Sequence, residues 1–175
     1  ALAIPLVVQA QDTRSYPLTV LPFAERGKDT RDMGARVADL LFGKLAGEPG
    51  IAIVERERED FRKVLDEKQL DLSALVNEGQ AAKVGHLIGA KLLVTGSIVQ
   101  VDTTLHLVAK IIGTETGRVL GAESKGNVQH DLSSLVSDLS KQIGEAVRKN
   151  GADLVATVLP LDDRLAALKE KMSPS

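Results

Sequence analysis

Imidazoles, hydroxyls and phosphate-cradling glycines are the groups in this chain that could carry chemistry. The histidines are His86, His106 and His130. A histidine titrates near neutral pH and serves as a general base or a metal ligand. None of the three has a second histidine or a carboxylate at i+4, and the string His-Glu-x-x-His does not occur. His86 falls in an expected helix, His106 in an expected strand on the face opposite Leu105, and His130 just before a helix cap. A serine nucleophile needs a sharp strand-to-helix elbow, Gly-x-Ser-x-Gly. That string is missing, and Gly96-Ser97 lies inside a strand pattern. Gly27-Lys28 follows a strand and precedes a helix, as a phosphate loop would. The glycine required five residues earlier is Pro22 instead. The dinucleotide fingerprint Gly-x-Gly-x-x-Gly is missing too, and Gly85 and Gly89 read as close helix packing and a helix stop. There is no cysteine, which removes disulfides, thiolate metal sites and a lipid-modified cysteine within this sequence. The expectation is no catalytic residue, no metal and no cofactor.

The elements that would position any site must be built on aliphatic side chains. Aromatic residues are 2% of the 175 residues: Tyr16, Phe23, Phe42 and Phe61, with no Trp. Single-stranded nucleic-acid binders stack bases on aromatic rings and neutralise phosphates with basic excess. A formal charge of −2 supplies neither, so nucleic acid is excluded as an expected partner. The length suits one domain. Residues 1–15 read as a signal-peptide remnant and tail, because Ala1 to Ala10 is short, apolar and ends Val8-Gln9-Ala10. The other reading of Ile4 to Val8 is an ordinary first strand. No segment reaches the ~20 apolar residues that a membrane-spanning helix requires.

Tyr16 to Ala24 is a nearly unbroken apolar run, expected as a strand covered on both faces. Asp29 or Thr30 is placed to cap a helix in which Met33, Val37, Leu40, Leu41 and Leu45 form one stripe. Ile51 to Val54 is a short buried strand. Glu55 to Lys68 is a charged helix with Phe61, Val64 and Leu65 inward. Its run Glu55-Arg-Glu-Arg-Glu-Asp60 reads as a solvated face, apart from Glu55 and Arg56 at the junction, which can tie loop backbone groups. Asn77 and Gln80 have capping-box spacing for a further helix that Gly89 ends. Leu92–Val101, Thr104–Ile112 and Arg118–Val128 alternate as three antiparallel strands, joined at Asp102-Thr103 and at Gly113–Gly117. Asp131 caps a long helix with Leu132, Leu135, Val136, Leu139, Ile143 and Val147 on one stripe. The pattern weakens after Gly151, and a last short helix runs from Leu161 to Lys171. The order β-α-β-α-α-β-β-β-α gives a mixed α/β domain over 16–150, with a C-terminal extension over 151–175.

Five strings in this order resemble the curli production assembly/transport component (CsgG) family over Tyr16 to Lys149. They are Leu18-Thr-Val-Leu-Pro-Phe23, Val54-Glu-Arg56, Lys83-Val-Gly-His-Leu-Ile-Gly-Ala90, Leu93-Val-Thr-Gly-Ser-Ile98 and Thr116-Gly-Arg-Val119. The residues that carry the resemblance are Pro22, Phe23, Glu55, Arg56, Gly89, Thr95, Gly96 and Gly117. The family usually places a leucine three residues beyond the Glu-Arg pair. Here Glu59-Asp60-Phe61 intervene, which alters how that helix docks or what it presents. The resemblance implies a periplasmic domain, also seen in TolB-like proteins and in lipoprotein activators of penicillin-binding proteins. It implies a non-enzymatic role in binding envelope proteins, near the outer membrane, and leaves room for a homo-oligomer. The alternatives it brings are a subunit of an outer-membrane secretion channel and a regulator of a cell-wall synthase. The tight strand connections argue against transmembrane hairpins, so the chain is not expected to form a pore alone.

Overall fold

The computed structural model describes residues 14–54, 63, 66, 83–85, 87–129, 131–156 and 161–172. Six strands form one mixed sheet. The strands are β1 (Tyr16–Val20), β2 (Ala24–Arg26), β3 (Ile51–Ile53), β4 (Leu92–Val101), β5 (Thr104–Gly113) and β6 (Val119–Asn127). The helices with full spans are α1 (Met33–Leu45), α2 (Leu132–Val155) and α3 (Leu161–Met172). The expected helices over Glu55–Lys68 and Asn77–Gly89 lie largely outside the described residues. Lys83, Val84, Gly85, Leu87 and Ile88 are helical.

The spatial order is β3-β1-β4-β5-β6, with β2 also pairing β4. β1 lies parallel to β3 and to β4, and α1 makes the β1-to-β3 crossover that parallel strands require. From β4 onward the sheet is an antiparallel meander, with Val94 opposite Ile111 and Ile111 opposite Leu120. This is the mixed α/β architecture expected from the chain's order of apolar patterns.

α1 and α2 cover one face of the sheet. Leu18, Val37, Leu41, Leu45, Leu92, Val94, Ile98, Leu107, Ile111, Leu139, Ile143 and Val147 are sealed there. A second cluster, Leu21, Val84, Ile88, Ala90, Leu93 and Ile112, forms on the opposite face at one end of the sheet. Val20 and Ile53, expected in the core, are partly buried at its margin.

Three expectations change. The run Tyr16–Ala24 is not one strand. It stays bonded to β4 as far as Leu21, whose N–H donates to Val94 O at 2.8 Å, and pairs with β4 again from Ala24; between them the Phe23 N–H, next in line for β4, donates to Gly34 O at 3.2 Å. Neither Asp29 nor Thr30 caps α1. The N-cap is Asp32 with a positive φ of 61° and no side-chain bond, while the Thr30 hydroxyl donates to Gly27 O at 3.1 Å. The long helix does not fade at Gly151. It runs to Val155, with Gly151 and Leu154 buried. A Cβ at Gly151 would stand 2.5 Å from the Tyr16 ring, so the glycine lets the helix end pack against β1. The cap at the other end is as expected: the Asp131 carboxylate accepts from Ser133 N at 3.0 Å.

Candidate interaction surface

Apart from Thr95, each resemblance-bearing residue within the described part sits where the backbone turns or approaches closely. Pro22 and Phe23 make the break between β1 and β2. The Phe23 ring is buried beneath Gly96. A Cβ on Gly96 would lie 2.8 Å from that ring and 2.0 Å from Val108 O, so only glycine fits. Thr95 is half-buried on the other face of β4. Gly89 and Gly117 have φ values of 73° and 69°, a left-handed conformation that strains residues with a Cβ. Gly89 stops a helix, and Gly117 closes the β5–β6 turn with its N–H on Gly113 O at 2.9 Å.

That turn is a clamp. The Thr116 hydroxyl donates to Leu154 O at 2.6 Å, and Arg118 Nη1 donates to Asp153 O at 3.0 Å. Both carbonyls belong to the last turn of α2, where carbonyls lack intrahelical partners and a cation is favoured. The Thr114 hydroxyl donates to Ala90 O at 2.9 Å, just ahead of β4, and Lys91 pairs with Glu115. One short turn thereby ties together the start of β4, the end of β5 and the end of α2. Glu55 and Arg56 lie outside the described residues.

The sheet face opposite α1 and α2 carries the side chains left over for binding. Strand alternation and register place Thr95, Ser97, Val99 and Val101 of β4 there, beside Thr104, His106, Val108 and Lys110 of β5 and Glu123 and Lys125 of β6. Ala24 and Arg26 of β2 are exposed and align with Ser97 and Val99 on the same side. Val101 is 53% exposed. The valines form a strip rimmed by charge, a composition suited to protein contact. His106 Nδ1 lies 2.7 Å from Glu123 Oε1. The strand pairing brings this carboxylate to His106 from 17 residues away, and local spacing in the sequence carries no sign of it. His86 and His130 lie outside the described residues. Among the described residues no group of three or more His, Asp and Glu side chains converges as a metal site, and no helix is long and apolar enough to cross a membrane.

The family model of the curli production assembly/transport component CsgG matches residues 10–135. Among curated proteins none matches the chain. Among solved structures, the LpoB C-terminal domain from Salmonella enterica superposes with a TM-score of 0.53 at 18% identity, over 67% of this chain and 85% of that one. The LpoB C-terminal domain from Escherichia coli gives 0.52 at 17% identity, over 67% and 85%. Lipoprotein GNA1162 from Neisseria meningitidis gives 0.49 at 15% identity, over 81% and 99%. At these identities the likeness to the two LpoB domains is one of fold.

Proposed function

The chain belongs to the curli production assembly/transport component CsgG family, and from that premise we propose that it is a non-enzymatic domain binding other proteins of a bacterial cell envelope. Its place is the periplasm, near the outer membrane, and its process is curli-like export or a related step of envelope assembly. The family match over residues 10–135 carries this reading. The geometry supports it in a second way. Apart from Thr95, which lies on that face, the motif residues inside the described part are used for turns and close packing, which leaves the face around Val99, Val101, His106 and Lys110 as the surface for recognition.

A photo-cross-linking residue at Val101, introduced in the bacterium that makes the protein, tests the reading directly. Adducts with envelope proteins are expected at Val101 and not at Leu40, a 38%-exposed position on α1 that serves as control. Adducts confined to cytoplasmic proteins, or equal adducts at both positions, would overturn it.

A further inference from the structure

Among the described residues the sheet ends at β6, which pairs with β5 on one side only. Edge strands usually carry a device against pairing with another chain: shortness, charged side chains such as lysine, a proline, a bulge or a cover. β6 has the charges, Glu123 and Lys125, but not the shortness, the proline or the bulge. It is nine residues long, Val119 to Asn127, with no proline. Its register with β5 is unbroken from Val119 to Asn127, so there is no bulge. Gly121, Ala122, Ser124 and Gly126 keep the edge low.

The ladder fixes which amides face outward. Gly113 N donates to Arg118 O and Val128 N donates to Thr103 O, each at 2.9 Å. Even-numbered residues of β6 therefore face β5, and Gly121, Glu123, Lys125 and Asn127 point their backbone groups away. One of these is covered. Gln142 of α2 donates from Nε2 to Glu123 O at 2.8 Å and accepts from Glu123 N at 3.4 Å through Oε1. The primary amide takes the place that one residue of a neighbouring strand would fill. Among the described residues, none supplies such a partner for Gly121 or Lys125.

The outward residues are also self-complementary. In an antiparallel pair of two β6 strands centred on Ser124, Glu123 lies opposite Lys125 of the second copy, and Gly121 lies opposite Asn127 of the second copy. The two-fold axis repeats each pair, so the interface holds two Glu–Lys contacts and no like-charge contact at those positions. Both register positions are hydrogen-bonding pairs, because all four residues present outward amides. Glu123 has room for the contact, since its side chain is 51% exposed beside His106.

We propose that the β6 edge docks antiparallel against β6 of a second copy, centred on Ser124, so that the sheet continues across a two-fold axis. Gln142 occupies the edge when the second copy is absent and swings away when it arrives. This goes beyond the envelope role proposed above and does not depend on it.

Sedimentation equilibrium of the full chain over a concentration series tests the proposal by charge exchange. Glu123→Lys and Lys125→Glu each place like charges opposite one another twice, and each is expected to weaken self-association about tenfold. The double exchange restores it. An equimolar mixture of the two single variants forms a heterodimer tighter than either homodimer. Gly121→Pro removes an outward N–H that β5 does not use, so it blocks pairing while the melting transition persists. Gln142→Ala frees the edge and strengthens association. A wild-type chain that stays monomeric throughout, single variants that associate as the wild type does, or a mixture without heterodimer would each overturn the proposal.

Discussion

β4 and β5 present alternate residues to two faces, and beyond the Leu93–Ile112 end, where both are buried, the faces differ sharply. On one, Val94, Ile98, Leu107 and Ile111 are each 0% exposed beneath α1 and α2. On the other, Thr95, Ser97, Val99, His106, Val108 and Lys110 are half-buried or exposed. The sealed face is held by apolar area, which any well-sized aliphatic set supplies. Beyond Leu93 and Ile112, the side chains of the other face lie outside both buried clusters. The buried core and the proposed recognition surface thus fall on alternate residues of the same strands, and substitutions on the two faces should separate cleanly.

The sharpest separation comes at Val94. Replacing it with Asp puts an unpaired carboxylate at the centre of the sealed face, and the loss of stability is expected to exceed about 3 kcal/mol. Val101→Ser, on the same strand and the other face, should shift stability by less than about 0.5 kcal/mol. Urea denaturation of both variants measures the contrast. Equal losses would erase the distinction between the faces.

Gly96→Ala probes where the sealed face touches the β1–β2 break. The added methyl meets Val108 O and the Phe23 ring, so a destabilisation of about 1–3 kcal/mol is expected. The partner variant Phe23→Leu should recover part of it, because the ring is one of the two obstacles. No recovery would mean that the Val108 carbonyl alone sets the penalty.

Much of this arrangement is legible in the sequence, and the failures have local causes. The meander was readable because period-two alternation is interrupted by Asp102-Thr103 and by Gly113–Gly117, both short polar connections. The β1–β2 break was not, because it turns on the Phe23 N–H leaving the ladder for Gly34 O, and the apolar pattern of Leu18–Phe23 runs unbroken across it. The end of α2 was hidden for a different reason. The apolar pattern weakens after Gly151 in sequence, yet that glycine is the space into which Tyr16 packs. The pairings His106–Glu123 and Gln142–Glu123 depend on register and on helix placement, so spacing along the chain does not announce them. The resemblance-bearing glycines were legible as positions, and the structure gives their geometry. Partner choice rests on exposed side chains whose pattern no core constrains.

The clamp at the β5–β6 turn gives a smaller effect. Thr116→Val removes the hydroxyl that donates to Leu154 O and leaves the volume unchanged. A loss of about 1 kcal/mol is expected, with hydrogen exchange accelerating at the last turn of α2 ahead of the rest of that helix. Uniform acceleration along α2 would show that the turn supports the whole helix and not its end.

The smallest effect is expected at α3. The domain closes before it: Leu154 is 2% exposed, and the carbonyls of Asp153 and Leu154 are already taken by Arg118 and Thr116. Beyond that point Leu165, Leu168 and Met172 are 46%, 55% and 81% exposed. Their spacing puts them on one narrow stripe of a 12-residue helix, a length that is marginal for an isolated helix in water. Among the described side chains of α3 little apolar surface is buried, and that adds little to the unfolding free energy. Deleting the residues after Pro160 should therefore leave the melting temperature within about 2 °C, since a change below ~0.5 kcal/mol moves a domain of this size by no more than that. Helical circular dichroism should fall by the share of α3 alone. A large drop in melting temperature on this deletion would place α3 in the folding unit and move the boundary of the cooperative domain to the end of the chain.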